Sequence, residues 1–222
     1  GEKTLEVDPK TGATVVVWRD GVLPDAMRRG HWVILDEFDA CPASIAMTLQ
    51  SVLEGGHRLT LAANHGELVK PAEGFRLFAT ANTLGRGDES GLYNGTNILN
   101  EATLDRFVVM ACSYPEAKVE TQVLIDKTGV AKALAKNMVE VANFVRGGVT
   151  KGEAFCSFST RRLLAWATLT QRLGRVPAAP GAASAVERAY RLAVMNKLGR
   201  EDAAYVGAIA QRVFGFKAIP QG

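Results

Sequence analysis

The chain is short of several things, and each shortage excludes something. Its 222 residues hold only three cysteines, Cys41, Cys112 and Cys156. They are odd in number and far apart, with no metal-ligand spacing, which excludes a disulfide framework or a zinc ribbon and fits a reduced, cytoplasmic protein. No apolar run approaches the roughly 18 residues of a membrane span, and nothing reads as a secretory leader, so no membrane partner is expected. An excess of one charge is also lacking. Lys and Arg number 26 against 23 for Asp and Glu, a formal net charge of +3, so there is no electrostatic case for nucleic acid. The three histidines, His31, His57 and His65, fall on separate segments without an i, i+4 pair, and are expected to be loop histidines rather than metal ligands. Internal repeats are absent. The chain opens on Gly1 rather than Met, as a piece of a longer protein would.

What is present is ordinary in bulk: 47% apolar and 22% charged residues, enough for one large domain or two small ones. The order along the chain is more informative. Residues 1–113 read as mixed α/β. "TVVVW" (14–18) and "WVILD" (32–36) are strand-like runs of β-branched and large apolar residues. The segment between them ends in a short helix stopped by Gly30. Pro42 is expected to open a further helix that Gly55-Gly56 ends, with Ile45, Leu49, Val52 and Leu53 on its buried face. "HRLTLAANHGELVK" alternates like a hairpin with "NHG" as its turn. "FRLFATAN" (75–82) is another buried strand with a polar tip, followed by the Gly-rich "LGRGDESGLYNG". From Tyr114 onward, five segments show helical periodicity and each closes at a glycine. Ser159 stands where an N-cap belongs. A boundary is therefore expected near 113–116, with an α/β part (1–113) before a helical part (114–222).

The residues that carry chemistry sit at strand ends. In "GHWVILDEFDA", four apolar residues run straight into Asp36 and Glu37. A buried strand fixes its last residues rigidly, at the edge where α/β sheets bind ligands. At such an edge a first acid can help hold the Mg²⁺ that bridges phosphates, and a second can orient and deprotonate a water. An acid at a strand end also serves simply to cap the next helix. Asn82, at the tip of "FRLFATANT", can donate to a phosphate and position a water, or merely stabilise a turn. Arg106, in "NEATLDRF", is placed on a short helix beside Asp105 and near Glu101, where a surface ion pair is the plain alternative. The order and spacing of the three segments together are harder to explain plainly than any one of them.

"WVILDEFDA", "FRLFATANT", "GLYNGT", "NEATLDRF" and the later "STRRLLAW" resemble the MoxR-like branch of the AAA+ ATPases, and within it the CobS-type ATPase subunits of cobaltochelatases. The resemblance covers about residues 15–217. It implies an AAA+ α/β core, a parallel sheet with flanking helices and a hairpin insertion, followed by an all-α lid. It also implies ATP and Mg²⁺ as ligands, a homo-oligomeric ring, and other cobaltochelatase-type subunits as partners. Asp36 and Glu37 correspond to the Walker B pair, Asn82 to sensor 1, and Arg106 to an arginine finger reaching a neighbour's γ-phosphate. Arg161 corresponds to the lid's sensor 2 arginine. The family writes that motif S-P-R, and here Thr160 replaces the proline while Arg162 follows directly, so the choice between the two arginines stays open.

The last thing lacking is a phosphate loop, G-x-x-x-x-G-K-[ST] running into a helix. "GEKT" at 1–4 fails on spacing, and Pro9 and Gly12 after it would break the helix. The chain is thus expected to be an AAA+ module beginning after its P-loop, or one part of a split or degenerate protein. Three functions follow from the resemblance. They are an ATPase subunit driving cobalt into a corrin-ring precursor, a MoxR-type chaperone that remodels or loads a partner, and a non-catalytic interaction subunit.

Overall fold

The computed structural model describes residues 1–83 and 95–216. The Gly-rich segment 84–94, which includes most of "GLYNGT", lies outside the described residues. The chain divides into two compact units, Gly1–Met110 and Ala111–Gly222.

The first unit opens with an antiparallel pair, β1 (Glu2–Val7) and β2 (Thr14–Arg19), in register from Glu2↔Arg19 to Val7↔Thr14. β1 is a finding that periodicity missed: "EKTLEV" mixes charge with apolar residues, and cross-strand pairing with the β-branched β2 draws it into the extended form. "GEKT" is therefore strand, not a loop feeding a helix. Helix α1 (Val22–Arg29) follows and is closed by Gly30. Gly30 has φ +69°, and a Cβ there would lie 2.2 Å from the Glu73 carbonyl oxygen, so only glycine lets the chain turn from α1 into β3 this close to residues 72–74. β3 (Trp32–Leu35) pairs in parallel with β6 (Arg76–Ala79), Leu35 facing Ala79.

Between these strands lie α2 (Ala43–Leu53) and the hairpin β4 (Leu59–Leu61) and β5 (Glu67–Val69), whose turn holds His65 and Gly66 at positive φ. Two details of α2 differ from the pattern-based expectation. Pro42 is the N-cap rather than a first-turn residue, and the helix stops at Leu53, two residues before the glycines. Its buried face is Ala46, Leu49 and Val52, while Ile45 is 52% exposed. The small Ala46 permits close approach to Phe38 and Leu99 in one cluster. A second cluster joins Met27, Val52, Leu59, Leu61 and Val69 under the hairpin. The short α3 (Glu101–Leu104) is N-capped by Asn100, whose side chain accepts from the Ala102 N–H at 2.9 Å. Arg106 lies just beyond α3, not on it.

The second unit is helical: α4 (Ala117–Thr128), α5 (Lys132–Thr150), α6 (Thr160–Gly174), α7 (Ala185–Ala193) and α8 (Arg200–Phe214). They enclose one core around Trp166, Tyr190, Phe158, Met138 and Leu163. Two expected stops are absent. α5 runs through Gly147-Gly148 to Thr150, and Gly148 serves packing instead: a Cβ there would lie 2.2 Å from the Tyr205 hydroxyl oxygen. α7 ends at Ala193 and passes into a 3₁₀ turn, Met195–Lys197, before Gly199. Among the described residues no helix is long and apolar enough to cross a membrane.

Candidate functional site

Parallel pairing of β3 with β6 brings the two polar strand tips side by side. The Thr80 N–H donates to the Leu35 carbonyl at 2.9 Å, and the Phe38 N–H donates to the Thr80 carbonyl at 2.8 Å. The Asp36 and Glu37 side chains, both exposed, therefore stand beside residues 80–83 at one sheet edge. Thr80 bridges them. Its hydroxyl donates to Asp36 Oδ1 and accepts from the Glu37 N–H at 3.1 Å. Glu37 itself sits at φ 52°, ψ 47°, the left-handed region that non-glycine residues rarely adopt. Phe38 then plunges into the core against the Phe107 ring, centroids 5.5 Å apart, which anchors the turn from below.

A third acid closes the arrangement. Asp39 is fully buried, and its Oδ2 accepts from the Asn82 N–H at 2.9 Å, the Thr83 N–H at 2.8 Å and the Thr83 hydroxyl at 3.0 Å. Its Oδ1 is buried with no partner among the described residues. The Asp39 carbonyl accepts from the Asn97 N–H at 2.6 Å, and the Asn97 side chain donates to the Cys41 carbonyl at 3.1 Å. Neither Thr80 nor Asp39 stood out in the sequence. Thr80 carried a faint signal, lying two residues before Asn82 on the neighbouring strand, and Asp39 carried one in following the acid pair inside an apolar stretch.

Arg106 is half-buried and pairs with Glu54, just past the end of α2, not with Asp105 or Glu101. It also donates to the Ala102 carbonyl. The nearby α2 and α3 are joined by Gln50, whose amide donates to the Thr103 hydroxyl at 3.1 Å. The histidines are scattered. His31 follows Gly30, His65 is in the hairpin turn, and His57 Nδ1 lies 3.0 Å from the Val52 carbonyl. Among the described residues no group of three or more His, Cys, Asp or Glu is placed to hold a metal ion. Mg²⁺ bridging phosphates needs fewer protein ligands, and the exposed, hard oxygens of Asp36 and Glu37 have the donor chemistry for it.

In the helical unit, Ser159 caps α6, its hydroxyl accepting from the Arg162 N–H at 3.3 Å. Arg161 is exposed, whereas Arg162 is half-buried with its guanidinium 5.8 Å from the Phe158 ring centroid. The turn before them is pinned by a buried ion pair. Arg146 grips the fully buried Glu120 with two 2.8 Å bonds, donates from Nε to the Phe158 carbonyl at 2.8 Å, and stacks 3.7 Å from the Tyr114 ring centroid. Thr160, where the resembled motif has proline, donates its hydroxyl to Glu120 Oε1 at 2.6 Å. Burial would raise the Glu120 pKa, but Arg146 and Thr160 outweigh it and hold the carboxyl below its usual value. The nearby Cys156 thiol is pushed up to about 11, first by burial and then by Asp202, so it is an inert core group.

Residues 4–107 match the family described as AAA domain (dynein-related subfamily), and residues 120–213 match CbbQ/NirQ/NorQ C-terminal. The chain is 31% identical over 214 residues to aerobic cobaltochelatase subunit CobS of a Sinorhizobium species, covering 94% of this chain and 61% of that protein. It is 36% identical over 125 residues to midasin of Giardia intestinalis, 56% of this chain and 2% of midasin. It is 30% identical over 164 residues to protein NorQ of Paracoccus denitrificans, 73% of this chain and 56% of NorQ. The chain thus spans less than two thirds of each of these relatives.

Proposed function

Since the chain belongs to the MoxR-like branch of the AAA+ ATPases, we propose that it carries the acid turn, sensor turn and lid of an ATP-hydrolysing motor subunit resembling CobS. The motor drives a partner that inserts cobalt into a corrin-ring precursor. The observation that carries this reading is the joined edge of β3 and β6, where Asp36, Glu37 and the 80–83 turn are bonded into one piece.

Each side chain then has a role. Asp36 holds the Mg²⁺, which when bound neutralises phosphate charge. Glu37, exposed beside it, takes the proton of the attacking water. Asn82 touches the γ-phosphate or the water from the adjacent strand tip. Arg161, exposed at the capped start of α6, is the lid arginine, and Arg162 is engaged with Phe158. Arg106 serves a neighbouring subunit once released from Glu54. Residues 1–222 contain no G-x-x-x-x-G-K-[ST] loop, so the 222-residue chain by itself is expected to grip Mg²⁺-ATP poorly, which calorimetry reads.

A second reading has its own support. The helical unit matches CbbQ/NirQ/NorQ C-terminal, which is compatible with a MoxR-type motor that remodels or loads a partner protein. Both readings need hydrolysis, and a non-catalytic interaction subunit does not. The deciding experiment uses the full-length protein. Glu37→Gln should bind Mg²⁺-ATP as the parent does and hydrolyse it roughly 10²–10⁴ times more slowly, the usual worth of a general base. Calorimetry beside phosphate release reads both. Unchanged turnover would remove Glu37 from its role, and a parent without turnover would leave only the interaction subunit. Activity with a cobaltochelatase-type partner separates the first two readings.

A further inference from the structure

We propose that Asp39 is a positioning residue that holds the sensor turn in register with the acid turn and so acts through Asn82. The proposal rests on the nucleotide-site reading for its kinetic consequence, but its geometric content stands apart from that reading.

Asp39 is a fully buried carboxyl group with no cationic side chain bonded to it among the described residues. Burying such a group is costly unless its hydrogen bonds repay the loss of water. An apolar residue would fill the space without that cost, so the position calls for what the carboxyl does. It collects both N–H groups of the consecutive residues Asn82 and Thr83 on a single oxygen, together with the Thr83 hydroxyl. Successive backbone N–H groups converging on one acceptor form a concave anion nest. Here the acceptor comes from the protein's own acid turn, three residues after Asp36.

The consequence is geometric. Residue 82 has its backbone N–H held by Asp39 while its side chain is exposed, on the strand tip beside the one that carries Asp36 and Glu37. Through its carbonyl, Asp39 also binds Asn97, three residues before the Asn100 cap of α3. One residue therefore ties together the acid turn, the sensor turn and the approach to α3. β3–β6 pairing alone reaches only to Thr80. Beyond that, the Asp39 carboxylate accepts from the Asn82 and Thr83 N–H groups and so ties the following turn to the acid turn.

Two measurements test this. In the 222-residue chain, hydrogen exchange of the Asn82 and Thr83 amides should quicken at least tenfold in Asp39→Ala. The Phe38 amide, bonded to Thr80, should keep its rate. This arm needs no ATPase activity. Asp39→Asn keeps an acceptor oxygen of the same reach and should fall between the two, and it serves as the variant to read should Asp39→Ala not fold. The second measurement is steady-state ATP hydrolysis by the full-length protein. Asp39→Ala and Asp39→Asn should lower kcat with ATP affinity unchanged. In an Asn82→Ala background the same substitutions should lower it no further, because the group they position is gone.

Local quickening of the two amides together with non-additive kinetics supports the proposal. Unchanged exchange at residues 82 and 83 overturns it. So does a kcat loss that persists in full on top of Asn82→Ala, which would show Asp39 acting on something else. A full-length parent that hydrolyses no ATP refutes the motor reading instead, and the exchange arm still decides whether Asp39 holds the turn.

Discussion

Glu37, the residue proposed to activate the water, is held in a left-handed backbone conformation. A non-glycine residue there costs of order 1 kcal/mol or more, and such strain persists only where neighbours over-determine it. The neighbour is Thr80, which accepts from the Glu37 N–H and donates to Asp36. Thr80→Val keeps the branched shape of the strand residue and removes both bonds. One net hydrogen bond is worth about 1 kcal/mol, and losing it from the aimed geometry corresponds to a roughly fivefold to tenfold fall in turnover. Thr80→Ser keeps the hydroxyl and should keep the rate. Phosphate release by the full-length variants checks this, and equal rates for the valine and serine forms would dismiss Thr80 as an aiming residue. The place of Asp36 and Glu37 at the end of β3 was legible in the sequence, because an apolar run ending in adjacent acids is rare. Thr80 and Asp39 were not, because each acts on a residue 43 positions away, and only pairing of β3 with β6 makes them neighbours.

The helices of the second unit depend on one buried ion pair more than on any cap. Glu120 on α4 and Arg146 on α5 are joined in fork geometry, and Thr160 brings the start of α6 to the same carboxylate. Arg146→Met would leave a buried, unpaired carboxyl group, a change that costs about 3–5 kcal/mol, and thermal unfolding of the helical unit should shift down accordingly. Acid should act in the same direction. Glu120 has a folded pKa below its ordinary value of 4.5. Its contribution is therefore fully present above pH 4.5 and is lost as pH falls through the folded value. A melting temperature of the parent that drops steeply below pH 4.5, with a shallower drop in Arg146→Met, is the expected result. Parallel pH profiles for the two would show that the pair contributes nothing. The helices themselves were legible from a 3.6-residue period and closing glycines, as at Gly129 and Gly215. What the pattern misread were glycines chosen for packing. Gly148 looks like a stop in the sequence and is a contact for Tyr205 in the fold.

As a whole, the molecule is two compact units, and the arginine proposed to serve a neighbour lies in the first. Arg106 is engaged by Glu54 of its own chain, so service to a neighbour's phosphate exchanges one anion for another. Full-length Arg106→Ala should bind ATP and lose turnover by about 10³–10⁵, the range of arginine fingers. Mixed with Glu37→Gln subunits, it should regain some activity wherever an intact Glu37 meets an intact Arg106 from next door. No regain, in assemblies shown to contain both, would confine Arg106 to its own chain. This level was the least legible. The motif singled out Arg106 as a candidate, but its partner Glu54 lies 52 positions away, and no period or spacing connects them.

The β3–β6 pair also leaves one face uncovered. Trp32 is 70% exposed, Ile34 66% and Phe78 46%, with the Trp32 and Phe78 ring centroids 5.4 Å apart. Parallel strands ordinarily have both faces packed. The chain's other two tryptophans are in settled surroundings, Trp166 in the helical core and Trp18 packed against the hairpin cluster. Trp32 is consequently a built-in optical gauge. Whatever segment or protein comes to lie on that face dries one indole out of three and draws its emission toward the blue, so the sheet's completion can be followed by light from the native chain, without a label.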